Sequence, residues 1–128
     1  MQIYHSFVNS FFVHLAIVAN SATSVALALA IASIGAIFSS TSPDMGIQGV
    51  LERFKQISPT LLFTETEVSY AGKKVVLEEK IREIAKQLHE GGLKGVVLLP
   101  SILTGKDVKF EGISNTYVLL KIISLHSY

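Results

Sequence analysis

Residues 36–54 read AIFSSTSPDMGIQGVLERF, and the order of side chains in this stretch decides the fold class. A short apolar run, Ala36-Ile37-Phe38, leads into four hydroxyls, Ser39-Ser40-Thr41-Ser42, and then into Pro43 and Asp44. Ser42 is placed to accept from a free N–H of a first helical turn. Pro43 suits the first helical position, which needs no N–H partner. Asp44 would meet the positive end of the helix dipole. Ile47, Val50, Leu51 and Phe54 then recur at i, i+3, i+4 and i+7, one face of an amphipathic helix. The stretch predicts a strand, a tight turn, and a helix opened by Pro43 and Asp44 with Ser42 as its cap.

Downstream the same alternation continues. Ser58-Pro59 ends the helix. Leu61-Leu62-Phe63-Thr64 fits a strand buried on both faces. Val68-Ser69-Tyr70 extends or pairs locally before a turn at Ala71-Gly72-Lys73. A helix from near Val76 sets Leu77, Ile81, Ile84, Ala85 and Leu88 in one stripe and stops at Gly91-Gly92. Gly95 to Leu99 is the next buried strand, closed by Pro100. A turn-rich stretch leads to a last strand-like run from Tyr117 to Ile123.

Upstream the character changes. No Asp, Glu, Lys or Arg precedes Asp44, so all 21 charges fall in the last 85 residues. This explains why only 16% of the chain is charged, against about 25% in ordinary soluble domains. Two readings compete for the uncharged part. One is a small membrane protein anchored through residues 7–38, since 22 uncharged residues from Ile17 to Phe38 are long enough to span a bilayer. The other is a helix in an α/β domain. Asn20-Ser21 looks like a helix start, and no Lys or Arg flanks the run to orient it in a membrane. Val25, Leu29 and Ala32 follow at helical spacing with alanines between them. An Ala-rich helix packed tightly on a sheet is the expectation. Residues 1–17 show no clear period and are assigned no element.

The order α, β, α, β, α, β, loop, β implies an α/β fold, a partial parallel sheet with flanking helices and right-handed crossovers. Composition narrows the function classes. A net charge of +1 supplies no field toward nucleic acid or acidic lipid. The absence of cysteine removes disulfides and thiolate chemistry and fits a reducing compartment, so the cytoplasm is the expected location.

The residues alone specify no reaction. His5, His14, His89 and His126 have no metal-ligand spacing, and His89 suits the last turn of a helix. Ser101-Ile102-Leu103-Thr104-Gly105-Lys106 is the nearest approach to a phosphate loop, and an ordinary turn explains it. Ser39, Ser40 and Thr41 sit after a strand and before a helix N-terminus, where anions are favoured, although a capped turn accounts for them too. Glu78, Glu79 and Glu83 read as a solvated helix surface.

Three pieces of wording add a resemblance: ANSATSVALALAIASIGAIFSSTSPDMG, GVLERFKQISPTLLFTETEVSYAGKK and KGVVLLP. In wording and order, residues 19–115 resemble the acetoacetyl-CoA synthetases of the acyl-adenylate-forming, AMP-binding ligases. The resemblance implies a slice of the large N-terminal domain of such a ligase. It implies a parent reaction in which ATP activates acetoacetate to an acyl-adenylate and coenzyme A then takes the acyl group. ATP, magnesium and coenzyme A are thus implied for the parent family and none is assigned to this chain. That family's Thr/Gly-rich phosphate loop, aromatic–Glu segment, ribose-binding Asp and C-terminal Lys find no counterpart here. No catalytic, cofactor-binding or metal residue is carried over, and the chain is expected to be inactive alone. Residues 1–18 and 116–128 depart from the family wording. An oligomerisation module, including one that associates with a full-length synthetase through open sheet edges, is the remaining expectation.

Overall fold

A computed structural model of the chain describes residues 12–99 and the backbone of 116–118. In chain order the described elements are β1 (Val13–Ile17), α1 (Ala22–Ser33), β2 (Ile37–Thr41), α2 (Ile47–Phe54), β3 (Leu61–Glu65), β4 (Glu67–Tyr70), β5 (Lys73–Val76), α3 (Glu78–Glu90), β6 (Gly95–Leu99) and β7 (Thr116–Val118). Five strands form one parallel sheet in the order β2-β1-β3-β6-β7. Numbered within that sheet alone, the order is 2-1-3-4-5, a doubly wound arrangement whose direction of winding reverses between β1 and β3. β4 and β5 form a separate antiparallel hairpin.

β1 is the main departure from the sequence reading, which gave residues 1–17 no element. His14, Leu15, Ala16 and Ile17 are all buried in the middle of the sheet. Like β3 and β6 it has no alternation to read, and unlike theirs its apolar run is interrupted by His14 and continues into Phe11-Phe12 and Val18-Ala19 without a turn signal to bound it. Residues 1–11, the 101–106 turn and most of the 117–123 run lie outside the described residues.

The two faces of the sheet are covered differently. On one, Leu15, Ile17, Leu62, Val96 and Leu98 pack against Val50, Leu51 and Phe54 of α2 and Ile81, Ile84, Ala85 and Leu88 of α3. Both predicted apolar stripes therefore lie where their spacing puts them, and the two helices also pack on each other. On the other face, Ala16, Val18 and Leu99 meet Leu27 of α1, together with Phe38 and Phe63.

α1 begins where Asn20-Ser21 suggests. Ser21 and Ser24 form a reciprocal capping box, each backbone N–H donating to the other's hydroxyl at 3.2 and 3.3 Å. The helix packs on the sheet as expected, through Leu27, but the row at helical spacing points outward. Val25 is 59% exposed and Leu29 67%, and Ala32 is also exposed, while Ile31 is the one residue of the helix that is buried. With apolar side chains on every side, the sequence names no inward face. At 12 residues α1 is short, and no helix among the described residues is long and apolar enough to cross a membrane.

Candidate cleft at the carboxyl ends of the strands

The second departure falls on the segment that decides the fold. α2 starts at Ile47 with Gly46 as its cap, not at Pro43 with Ser42. Ser39, Ser40 and Thr41 belong to β2 instead of following it. Residues 42–45 make a turn, in which the Met45 N–H donates to the Ser42 carbonyl at 3.2 Å. Pro43 takes the second turn position, which its fixed φ suits as well as a helix start. The Ser42 hydroxyl donates to the Asp44 carboxylate instead of accepting from a helical N–H. That bond is the main reason Asp44 is held below the usual carboxylate range. The Pro43 carbonyl, which would accept from Ile47 in a helix starting there, accepts from Lys80 Nζ at 2.6 Å.

This turn forms one wall of a cleft of about 710 Å³ at the carboxyl ends of β1 and β2. Ser40, Thr41 and the 42–45 turn line that side. Ser24, Val25 and Ala28 of α1 line a second, and Ser69, Tyr70 and Val75 of the hairpin a third. The hairpin keeps its wall by a two-residue turn in which Ala71 and Gly72 both have positive φ, 50° and 75°. That geometry matches the twist of the paired strands and favours glycine at the second position. A 2.5 Å ion pair from Lys74 to Glu67 braces it.

Behind the cleft, the ends of β1 and β3 are stitched together where the winding reverses. Glu65 is 3% exposed and accepts from the Ala19 N–H at 3.0 Å. Burial pushes the Glu65 carboxyl above its ordinary range, and the Ala19 hydrogen bond opposes this only in part. Thr64 Oγ1 lies 3.2 Å from the Ile17 carbonyl and 3.0 Å from the Glu65 carbonyl, in reach of either as donor. The sequence held a signal for Glu65, a carboxylate directly at the end of an apolar strand, but the reading passed over it. Lys80 gave no local signal, because its partners lie 35 and 37 residues away.

The chemistry on offer is binding. Ser40, Ser69 and Tyr70 supply hydroxyls, the Ser42 hydroxyl being engaged by Asp44, and Asp44 and Arg53 are the charged side chains among the described lining residues. The Thr41 hydroxyl is already spent on Met45 Sδ at 3.1 Å. Glu65 faces the Ala19 loop and is not among the residues that line the cleft. His89 sits in the last turn of α3, its Nδ1 3.2 Å from the Leu93 carbonyl.

No family model matches the chain. Sequence relatives do. Acetoacetyl-CoA synthetase of Mus musculus is 46% identical over 100 residues, 78% of this chain. The chain belongs to the acetoacetyl-CoA synthetase family. The bacterial acetoacetyl-coenzyme A synthetase of Rhizobium meliloti is 48% identical over 73 residues, 57% of this chain and 11% of its own length. The acetoacetyl-CoA synthetase structure from Streptomyces lividans superposes with a TM-score of 0.72 at 26% identity, covering 91% of this chain and 17% of that one. The chain spans about 15% of the length of the mouse synthetase it matches. The family and the α/β layer agree with the reading of the three sequence pieces.

Proposed function

We propose that this chain supplies one α/β layer of an acetoacetate–CoA ligase and catalyses nothing by itself. The parent reaction is ATP-dependent adenylation of acetoacetate followed by transfer of the acyl group to coenzyme A. The observation that carries the reading is the 46% identity to a synthetase over 78% of this chain. The layer's own geometry adds a role. In doubly wound sheets ligands lie outside the carboxyl ends of the strands, near the reversal of winding. The cleft lies beside that position, at the carboxyl ends of β1 and β2, and its hydroxyls suit the polar parts of a nucleotide-bearing ligand. Asp44 is the one carboxylate among the described lining residues, and magnesium is ordinarily held by one or two carboxylates together with phosphate oxygens.

The test is acetoacetate-dependent exchange of pyrophosphate into ATP by the purified 128-residue chain. Exchange no faster than the enzyme-free blank is expected, and clear turnover would overturn the claim of inactivity.

A second reading is association with a full-length synthetase. It is favoured by the exposed Val25, Leu29 and Ile34, which leave an apolar surface uncovered by the described residues. Co-purification of the two chains supports it, and a lone monomer in the presence of the synthetase counts against it. A cytoplasmic location fits the cysteine-free sequence, and cell fractionation checks it.

A further inference from the structure

We propose that Lys80 is a positioning residue whose ammonium clamps the 42–45 turn onto the start of α3 and so fixes the width of the cleft. The turn is one wall of the cleft and the hairpin is the wall that leads into α3. Lys80 joins the two. Its Nζ donates to the Pro43 carbonyl at 2.6 Å and also to the Met45 carbonyl. An ammonium has three donors, and two of them are committed to carbonyls of a single turn. Asp44, between those two carbonyls in sequence, adds an opposite charge beside it.

The base of the clamp is itself anchored. Leu77 is buried, and its N–H donates to the Thr66 carbonyl at 2.8 Å, tying the start of α3 to the end of β3. The turn's own bonds, from the Met45 N–H to the Ser42 carbonyl and from the Ser42 hydroxyl to Asp44, leave its junction with α2 uncapped. Gly46 caps α2 with no side-chain hydrogen bond. Planar peptide units turn as a body, so holding the carbonyls of Pro43 and Met45 fixes the orientation of the whole turn. Lys80 thus supplies from 35 and 37 residues away the restraint that the cap lacks. Its link to function rests on the reading of the cleft as the ligand site.

The test uses the full chain with Lys80→Met and Lys80→Arg. Residue-resolved hydrogen exchange is followed at Asp44, Met45 and Val50, and at α3 and β6 as controls. Lys80→Met is expected to speed exchange at the three turn and helix-start amides by about tenfold or more, as suits loss of hydrogen bonds to a charged group. The controls stay unchanged, and Lys80→Arg restores most of the protection. Unchanged exchange in Lys80→Met overturns the clamp. Faster exchange everywhere, in the controls as much as the turn, also overturns it, because Lys80 is then a general stabiliser. Calorimetric titration with ATP and with coenzyme A, separately, reads the consequence. Affinity for whichever binds falls with Lys80→Met and returns with Lys80→Arg. If neither binds the unmodified chain, the ligand reading of the cleft fails while the exchange data still decide the clamp.

Discussion

α1 and α3 are nearly equal in length, 12 and 13 residues, and pack on opposite faces of one sheet. α3 is rich in charge and buries Ile81, Ile84, Ala85 and Leu88. α1 carries no charge at all and buries only Ile31. The more apolar helix is the worse covered. Hydrophobicity supplies the drive to leave water, but periodicity decides which side turns inward. α3 has that periodicity. α1, apolar all round, has the composition of a helix surrounded by a larger core. The chain spans only about 15% of the length of the mouse relative.

The largest expected effect separates the two helices by truncation. Ile84→Ala removes a fully buried side chain and should cost about 2–5 kcal/mol in urea unfolding. Leu29→Ala should stay within about 0.5 kcal/mol. Equal costs would abolish the contrast.

Acid sharpens it next, through His14. This ring lies 7% exposed in β1, edge-on to Phe63 at 5.9 Å, with Nδ1 lacking a partner. Burial lowers its pKa below 6.5, and the Val13 backbone only partly opposes this. The unfolded chain therefore takes up a proton first as pH falls. Stability from this group is complete above pH 6.5 and is lost as pH falls through 6.5 toward the depressed folded value. His14→Leu should flatten that part of the stability–pH curve.

Glu65 acts with the opposite sign. Its folded pKa is raised above 4.5, so the unfolded carboxyl ionises first and stability drains as pH rises from 4.5 through the folded value. Glu65→Gln keeps an acceptor for the Ala19 N–H without a charge to desolvate. It should raise stability at pH 7 by about 1 kcal/mol or less, and a loss of several kcal/mol would show that the carboxylate charge is required.

What the sequence made legible follows the same physics. β3, β6, the apolar stripes of α2 and α3 and the turn at Ala71-Gly72 each have a local signature and lie where expected, whereas α2 begins only at Ile47 and Lys73–Val76 form a strand that the reading did not give. β1 lacks one because its apolar run is broken by His14 and is not bounded by turn residues. The Ser42-Pro43-Asp44 signal was real but ambiguous: a turn and a helix start ask for the same residues, and Lys80, from another helix, engages the carbonyls of the turn. The cleft's hydroxyls at Ser40, Thr41 and Ser42 were visible in the sequence. The Glu65 and Lys80 contacts that hold the cleft together are tertiary, and no spacing could announce them.

A chain without cysteine allows a direct measurement of the central contrast. Single variants Val25→Cys and Ala85→Cys are labelled with a thiol reagent under native conditions. Ala85 is 2% exposed and Val25 59%. The Val25→Cys thiol should react near the rate of the unfolded chain, and the Ala85→Cys thiol about a hundredfold or more slowly, waiting on unfolding. Equal protection at both positions would contradict the account, because the outer face of α1 would then be covered in the chain by itself.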